Sequence, residues 1–239
     1  MFNIIENKKP NLDVIKMNCD IKLDEKLDQI PLYRNINGFT SVLFLGKPSS
    51  GKTSLMTSIM YKKPPNGICN VHDNIFLFMP SNSRRSLKKN RFDEEIKPEN
   101  LFDELNYDNL NEVFERIKNA DSDEKHLIIL DDQTAHLKDG DVMKLLNEIN
   151  YNRRHLHVSI WFLCQNYISI PKPIRMILKN LFIFKSSIEE MNTIKKELIE
   201  GFKYDMGDLM KFVYDKPHNF LFVNTDTQTF FKNWDQIIL

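Results

Sequence analysis

Four residues near the start of the chain have the spacing of a phosphate-binding loop. The stretch FLGKPSSGKTSL satisfies the pattern G-x-x-x-x-G-K-[ST]. Glycines let the backbone curl so that its N–H groups point at a phosphate, and the N-terminus of a following helix adds partial positive charge. The motif predicts nine nucleotide-binding residues: Gly46, Lys47, Pro48, Ser49, Ser50, Gly51, Lys52, Thr53 and Ser54. Within it, Lys52 would reach the β- and γ-phosphates and Thr53 would offer its hydroxyl to Mg²⁺.

The pattern fixes only four positions, so a chance match in a flexible turn is the alternative. The surrounding sequence favours the phosphate loop. SVLFLG, from Ser41, is a continuous apolar run of the kind found in a strand buried on both faces of a parallel sheet. KTSLMTSIMYKK, from Lys52, predicts a helix stopped by Pro64 and Pro65.

A second apolar run, LIILDD, ends in the acids Asp131 and Asp132. An acid at a strand end commonly holds Mg²⁺ beside the phosphate-loop hydroxyl, which predicts that Asp131 and Thr53 are the metal ligands. Asp132 would then point at the water that attacks the γ-phosphate. The alternative is a pair of acids that merely solubilise a loop.

Gln165 ends the next apolar run, WFLCQ. If that strand lies between the strands that lead to Gly46 and Asp131, its amide would face the γ-phosphate and act as a sensor. We therefore predict Asp132 and Gln165 as catalytic residues, together with an arginine that stabilises transition-state charge from a neighbouring subunit. Arg154 is the first candidate for this arginine; Arg153 and Arg175 are others, and each could instead be a cation at a helix end.

The stretch SNSRRSLKKNR, residues 81–91, has five basic residues and no acid. It is a candidate for contact with a phosphate backbone. A solvated loop that pairs with the following FDEE is the alternative. His155 and His157 are two residues apart, but no third ligand of suitable spacing is near, so zinc is not expected.

These groups must be positioned by alternating strands and helices. Besides the strand from Ser41, strands are predicted over 74–79, 126–132, 158–165 and 181–184. Besides the helix from Lys52, helices are predicted over 107–120, 139–154, 171–180, 188–201 and near 207–214. The alternation predicts an α/β fold with a mainly parallel central sheet and helices on both faces. Two aromatic runs around Thr-Asp-Thr-Gln, residues 225–228, predict a C-terminal hairpin at the sheet edge.

Composition limits the class of protein. With 239 residues and 41% hydrophobic content, we expect one principal domain over 39–239, preceded by an N-terminal arm or edge strands over 1–38. Basic and acidic side chains number 33 each, so any contact with nucleic acid must be local. The three cysteines, Cys19, Cys69 and Cys164, show no C-x-x-C spacing, so we expect a reducing compartment. No apolar run is long enough for a membrane span, so we expect a soluble protein.

The order of these motifs resembles the viral genome-packaging ATPases of nucleocytoplasmic large DNA viruses, poxviruses and virophages, a branch of the FtsK–HerA superfamily of P-loop motors. GKPSSGKT and LIILDD are two of the matching blocks. A third block, RRHLHVSIWFLCQNYISIPKPIRMILKN, is the specific one. Its matching residues are Arg154, His155, Ser159, Gln165, Pro173, Ile174 and Arg175.

The resemblance implies a RecA-like P-loop fold that uses ATP and Mg²⁺ to move double-stranded DNA into a capsid. It implies a homo-oligomeric ring, pentamer or hexamer, that acts in the host cytoplasm and transiently at the viral capsid vertex. Many superfamily members have Glu where Asp132 stands. Asp is shorter by one methylene, so the attacking water must approach closer or be relayed.

Two other classes remain open at this point. A P-loop nucleotide kinase could use residues 81–91 as a substrate-binding lid, although a kinase needs no acid such as Asp132 to activate water. A non-hydrolysing assembly factor could bind nucleotide only to order its fold. A GTPase is disfavoured because the chain lacks an Asn-Lys-x-Asp segment after the phosphate loop.

Overall fold

The protein is built around a nine-stranded sheet in the order β3-β2-β4-β5-β1-β6-β7-β8-β9. The computed structural model describes residues 22–87, 91–199 and 202–238. All pairings from β3 through to β6 are parallel, and those of β7, β8 and β9 are antiparallel. The strands are β1 Ser41–Leu45, β2 Asn74–Phe78, β3 Leu101–Phe102, β4 His126–Asp131, β5 Val158–Cys164, β6 Asn180–Phe184, β7 Phe220–Asn224, β8 Thr229–Lys232 and β9 Asp235–Ile237.

Helices cover both faces of the sheet, as the sequence predicts. They are α1 Pro31–Ile36, α2 Lys52–Tyr61, α3 Ser81–Arg85, α4 Phe92–Glu95, α5 Tyr107–Lys118, α6 Gly140–Asn152, α7 Lys172–Arg175, α8 Ile188–Leu198 and α9 Met206–Val213. Several begin at a side-chain cap, which satisfies backbone N–H groups that the helix itself cannot. Asp139 accepts from two N–H groups at the start of α6, and Ser187 caps α8.

Each face of the sheet has its own apolar core, because alternate side chains of a strand point to opposite faces. On β1, Leu43 and Leu45 belong to the core under α5, α6, α8 and α9, whereas Val42 and Phe44 belong to the core under α2. All five residues of β1 are buried. The continuous apolar run of β1 therefore reflects a strand covered on both sides.

The N-terminal segment differs from the prediction of an arm or edge strands. Its described part, residues 22–38, forms a 3-10 helix, Glu25–Gln29, followed by α1. Leu23, before the 3-10 helix, and Leu27, within it, are both buried, and an element this short shows no helical period in the sequence. Residues 1–21 lie outside the described residues, and a domain boundary near residue 38 stays a prediction.

The C-terminal hairpin is confirmed: β7 and β8 pair across residues 225–228, and β7 joins the parallel part of the sheet at β6. Two short strands, β3 and β9, were not predicted. They have two and three residues, too few to show an alternating pattern. Within the described ranges, no helix is long and apolar enough to cross a membrane.

Candidate nucleotide-binding site

The ends of three neighbouring strands bring the predicted site together. β5 lies between β4 and β1, as the hypothesis for Gln165 requires. The register pairs Leu45 with Cys164 and Asp131 with Leu163, so the residues that follow each strand emerge at one edge. The backbone N–H groups of Gly46 and Asp132 donate to carbonyls of β5 at 3.1 Å each. This is the carboxyl edge of the parallel sheet, where ligands bind in such folds.

The phosphate loop needs glycine at two positions for different reasons. A Cβ on Gly46 would lie 2.7 Å from both Phe184 Cβ and Ser50 Oγ, so a side chain does not fit there. Gly51, the residue before α2, has φ +111°, a conformation that L side chains rarely adopt. These two residues fold the loop tightly over the end of β6 and start the helix.

Lys52 closes the phosphate loop on itself. Its Nζ donates to the carbonyls of Gly46 and Lys47 at 2.6 and 3.1 Å. Burial lowers the pKa of Lys52, while the charges of Asp131 and Asp132 act to raise it. A phosphate oxygen in the loop would offer the ammonium group a charged acceptor in place of neutral carbonyls, which is a stronger hydrogen bond.

Asp131 is the buried acid of the site. Burial, together with the neighbouring charge of Asp132, raises the pKa of Asp131 to about 6. The charge of Lys52 and a hydrogen bond with the Thr53 side chain act to lower the same pKa. The Thr53 hydroxyl and the Asp131 carboxylate therefore lie within hydrogen-bond reach of each other. Hydroxyl and carboxylate oxygens are hard ligands of the kind that Mg²⁺ prefers, so the two predicted metal ligands fit that ion.

Asp132 and Gln165 are joined at the exposed side of the same edge. Gln165 Nε2 lies 3.2 and 3.3 Å from the two carboxylate oxygens of Asp132. Asp132 has φ 56°, a left-handed conformation in which Asp is several-fold enriched. Asp132 is exposed, whereas the neighbouring Asp131 is buried.

Gln133 is a site residue that the sequence analysis missed. It is only 2% exposed, donates through Nε2 to the Asp131 carbonyl at 3.3 Å, and accepts from the Leu105 N–H at 2.9 Å. It thereby ties the end of β4 to the loop after β3. Leu105 is 28 positions away, and no local pattern in the sequence indicates this contact.

The three candidate arginines do not meet at this edge. Arg154 is exposed in the turn before β5, at the opposite end of the sheet, so it cannot reach the nucleotide of its own subunit. Arg153, in the same turn, donates to the carbonyls of Phe39 and Asn150. Arg175 forms a two-point ion pair with Glu197. A catalytic role for Arg154 stays a prediction that requires a second subunit.

The basic stretch 81–91 is partly structural. Arg84 is buried, where it donates to the Met79 carbonyl at 2.6 Å and pairs with Asp103 at 2.8 Å and Asp93 at 3.4 Å. Arg91 pairs with Glu95. The alternative that FDEE pairs with this stretch is thus confirmed for these two arginines. Arg85 is exposed, and residues 88–90 lie outside the described residues.

Comparisons with known proteins agree with this architecture. A model of the family described as Poxvirus A32 protein matches residues 34–230. Comparison with curated proteins found no match.

Among solved structures, the genome packaging NTPase B204 from Sulfolobus turreted icosahedral virus 2, in complex with ATP-gammaS, is similar with a TM-score of 0.59 and 14% identity. The similarity covers 84% of this chain and 98% of that one. EssC (ATPases 2 and 3) from Geobacillus thermodenitrificans has a TM-score of 0.53 and 15% identity over 82% of this chain and 39% of its own. At these identities the similarity shows the fold, a RecA-like P-loop domain.

Proposed function

The chain belongs to the poxvirus A32 protein family, whose model matches residues 34–230, and from this premise we propose that it is an ATP-hydrolysing motor for viral genome packaging. The observation that carries the proposal is the insertion of β5 between β1 and β4. It brings Lys52, Asp131, Asp132 and Gln165 to one edge of the sheet. That set of groups can bind a triphosphate, hold a cation and orient a water.

Each residue has a role that follows from its place. The N–H groups at the start of α2 and the ammonium of Lys52 bind the phosphates. Thr53 and Asp131 would hold Mg²⁺, which when bound neutralises charge that develops on the phosphate oxygens. Asp132, exposed beside the buried Asp131, accepts a proton from the attacking water. Gln165 donates to Asp132 and reports the presence of the γ-phosphate to β5.

We further propose that the substrate polymer is double-stranded DNA, that the subunits form a pentameric or hexameric ring, and that this ring acts at a capsid vertex in the host cytoplasm. The relatives support this proposal: B204 is described as a genome packaging NTPase and as a DNA-packaging ATPase. Arg154 and the phosphate loop lie at opposite ends of the sheet. In a ring with head-to-tail contacts, the end of one subunit that carries Arg154 can face the end of its neighbour that carries the phosphate loop. Arg154 would then be the arginine that acts in trans.

The first test is phosphate release from ATP with and without double-stranded DNA. DNA should raise the rate of phosphate release by the unaltered protein. Lys52→Ala should abolish phosphate release with and without DNA. Asp132→Asn should lower turnover by about 10²-fold or more while ATP still binds, because Asn tolerates the same left-handed backbone. Lys62→Ala, at the exposed far end of α2, and Asp141→Asn, in the exposed first turn of α6, are matched controls that should behave as the unaltered protein.

Phosphorylation of a nucleoside monophosphate without net hydrolysis would favour a kinase and refute the proposal. ATP binding without turnover, with or without DNA, would favour the assembly factor. For the trans arginine, Arg154→Ala should bind ATP without turnover, and mixing it with Asp132→Asn should restore part of the activity at hybrid interfaces. If no mixture restores activity, Arg154 is not the trans-acting residue.

A further inference from the structure

A cavity of about 510 Å³ adjoins the phosphate loop. It is lined by the loop and the first turns of α2 on one side, and by Phe184, His218 and Phe220 on the other. Phe184 ends β6 and Phe220 begins the antiparallel β7, so the two rings lie side by side at the carboxyl edge. The cavity combines aromatic walls with hydroxyl and backbone groups, which is the lining that a small planar ligand requires.

The strand order gives this cavity a defined place relative to a triphosphate. Asp131 ends β4, Asp132 follows it and Gln165 follows β5, all on one side of β1. The cavity lies beside β6 and β7, on the other side of β1. A triphosphate whose γ-phosphate faces the acids must extend its nucleoside the other way along the loop. The nucleoside then enters the cavity between α2 and the aromatic residues.

His218 covers the loop at this point. Its Nδ1 lies 3.0 Å from the Ser50 carbonyl oxygen, which requires the imidazole proton on Nδ1. A Cβ placed on Gly51 would lie 3.6 Å from the same nitrogen, so the imidazole is close to the loop backbone. His218 has φ 63°, a conformation in which His is enriched but which most residues avoid. The ring is exposed, whereas Phe184 and Phe220 are 3% and 5% exposed and form the floor.

We propose that this cavity binds the purine nucleoside of the triphosphate, and that the base stacks on the ring of His218. The inference rests on the proposed ATPase function and adds to it the base-binding residue. His218 follows α9 and stands 168 positions after Ser50, so the C-terminal part of the chain completes the nucleotide site.

A second cavity, on the other side of α2, is the competing location for the base. It measures about 440 Å³ and is lined in part by Thr53, Tyr61 and Arg91. The Arg91 guanidinium already lies over the Tyr61 ring, 4.0 Å from its centroid, so that aromatic face is occupied. This cavity also borders only Thr53 and Ser54 of the phosphate-loop motif. The cavity beside His218 is therefore the better base site.

The test compares the affinities of the full chain for ATP and for inorganic tripolyphosphate, both with Mg²⁺, by titration calorimetry. Because tripolyphosphate has no base, the ratio of the two dissociation constants measures the contribution of the nucleoside. His218→Asn keeps the left-handed backbone and a short polar group but removes the ring. It should weaken ATP binding by about fivefold to a hundredfold and leave tripolyphosphate binding unchanged.

His218→Phe keeps a ring but loses the hydrogen bond to Ser50, and because a bulky residue is disfavoured at φ 63° it should be less stable than His218→Asn. It should retain most of the preference for ATP. If His218→Asn weakens the binding of ATP and of tripolyphosphate equally, His218 only positions the loop. If the variant weakens the binding of neither ligand, His218 is not part of the site. Both results overturn the inference. Loss of the ATP preference in Tyr61→Ala would place the base in the other cavity.

The same data separate this inference from the proposed function. If the unaltered protein binds both ligands and Lys52→Ala binds neither, the phosphate site stands whatever His218 does. If the unaltered protein binds neither ligand, the proposed function fails and the base site fails with it. Thermal unfolding of each variant shows that the chain remains folded.

Discussion

Replacing Arg175 tests whether that residue is a structural ion pair or a trans-acting catalytic arginine. Its Nε and Nη2 donate to the two carboxylate oxygens of Glu197 at 2.9 and 2.8 Å, and its Nη1 donates to the Ile170 carbonyl at 3.0 Å. The Tyr167 hydroxyl donates to Glu197 at 2.8 Å. These contacts hold the segment after Gln165 against α8, so we expect Arg175 to stabilise the fold.

The magnitude follows from burial. The side chains of Arg175 and Glu197 are 11% and 17% exposed. Burial alone would raise the pKa of Glu197, but the hydrogen bonds from Arg175 and Tyr167 outweigh it and hold that pKa below its ordinary value. Arg175→Met leaves the carboxylate with one partner. Breaking a buried pair in this way costs about 3 to 5 kcal/mol, and because both groups are slightly exposed we expect about 3 kcal/mol.

The assay is urea unfolding followed by tryptophan fluorescence, with Arg175→Met, Glu197→Gln and the double variant. In the double variant the buried charge is removed, and the amide oxygen of the substituted side chain still accepts from Tyr167. The double variant should therefore recover about 2 kcal/mol relative to Arg175→Met, and the non-additivity measures the coupling of the pair. If Arg175→Met unfolds at the same urea concentration as the unaltered protein but loses ATP turnover, the structural role is refuted and Arg175 becomes the trans-acting arginine.

Two further predictions concern the phosphate loop and a buried histidine. Gly46→Ala should lower ATP affinity by about 10²-fold and stability by about 1 to 3 kcal/mol, because the added Cβ would lie 2.7 Å from Phe184. The control for calorimetry and thermal unfolding is Gly38→Ala, where nothing lies within 4 Å of the added Cβ. Equal effects at the two sites would contradict the reasoning. Burial lowers the pKa of His72 to about 3, below its ordinary value of 6.5. Between these two pH values the unfolded chain binds more protons at His72 than the folded chain does. The free energy of unfolding should therefore fall by about 1.4 kcal/mol for each pH unit as the pH falls through this window. His72→Phe should remove this part of the slope in urea unfolding measured from pH 6.5 downwards, and parallel curves would show that His72 titrates normally.

The sequence predicts most of the site because its residues follow strand ends. Continuous apolar runs identify β1, β4 and β5, and Lys52, Asp131 and Gln165 come within a few residues of their ends. What a local pattern cannot show is pairing between distant segments. Gln133 contacts Leu105 and Arg84 pairs with Asp103, and each contact exists only because β2, β3 and β4 are neighbours. The same cause explains Arg84, whose charge is paired inside the fold, in line with the alternative given for the basic stretch 81–91.

Short or irregular elements were also beyond prediction. The helices around Leu27 and Leu32 are each only one or two turns long, and β3 and β9 are shorter than one period of any useful pattern. Their formation depends on the cores they cover rather than on local preference.

The contact between Ser50 and His218 has a consequence for synthesis of the chain. The phosphate loop is translated well before His218, which follows all six strands of the parallel part of the sheet. A nascent chain therefore lacks the complete aromatic and histidine lining of the cavity beside the phosphate loop until Phe220 has been made. A product that stops before His218 gains no stabilisation from nucleotide contacts with that lining.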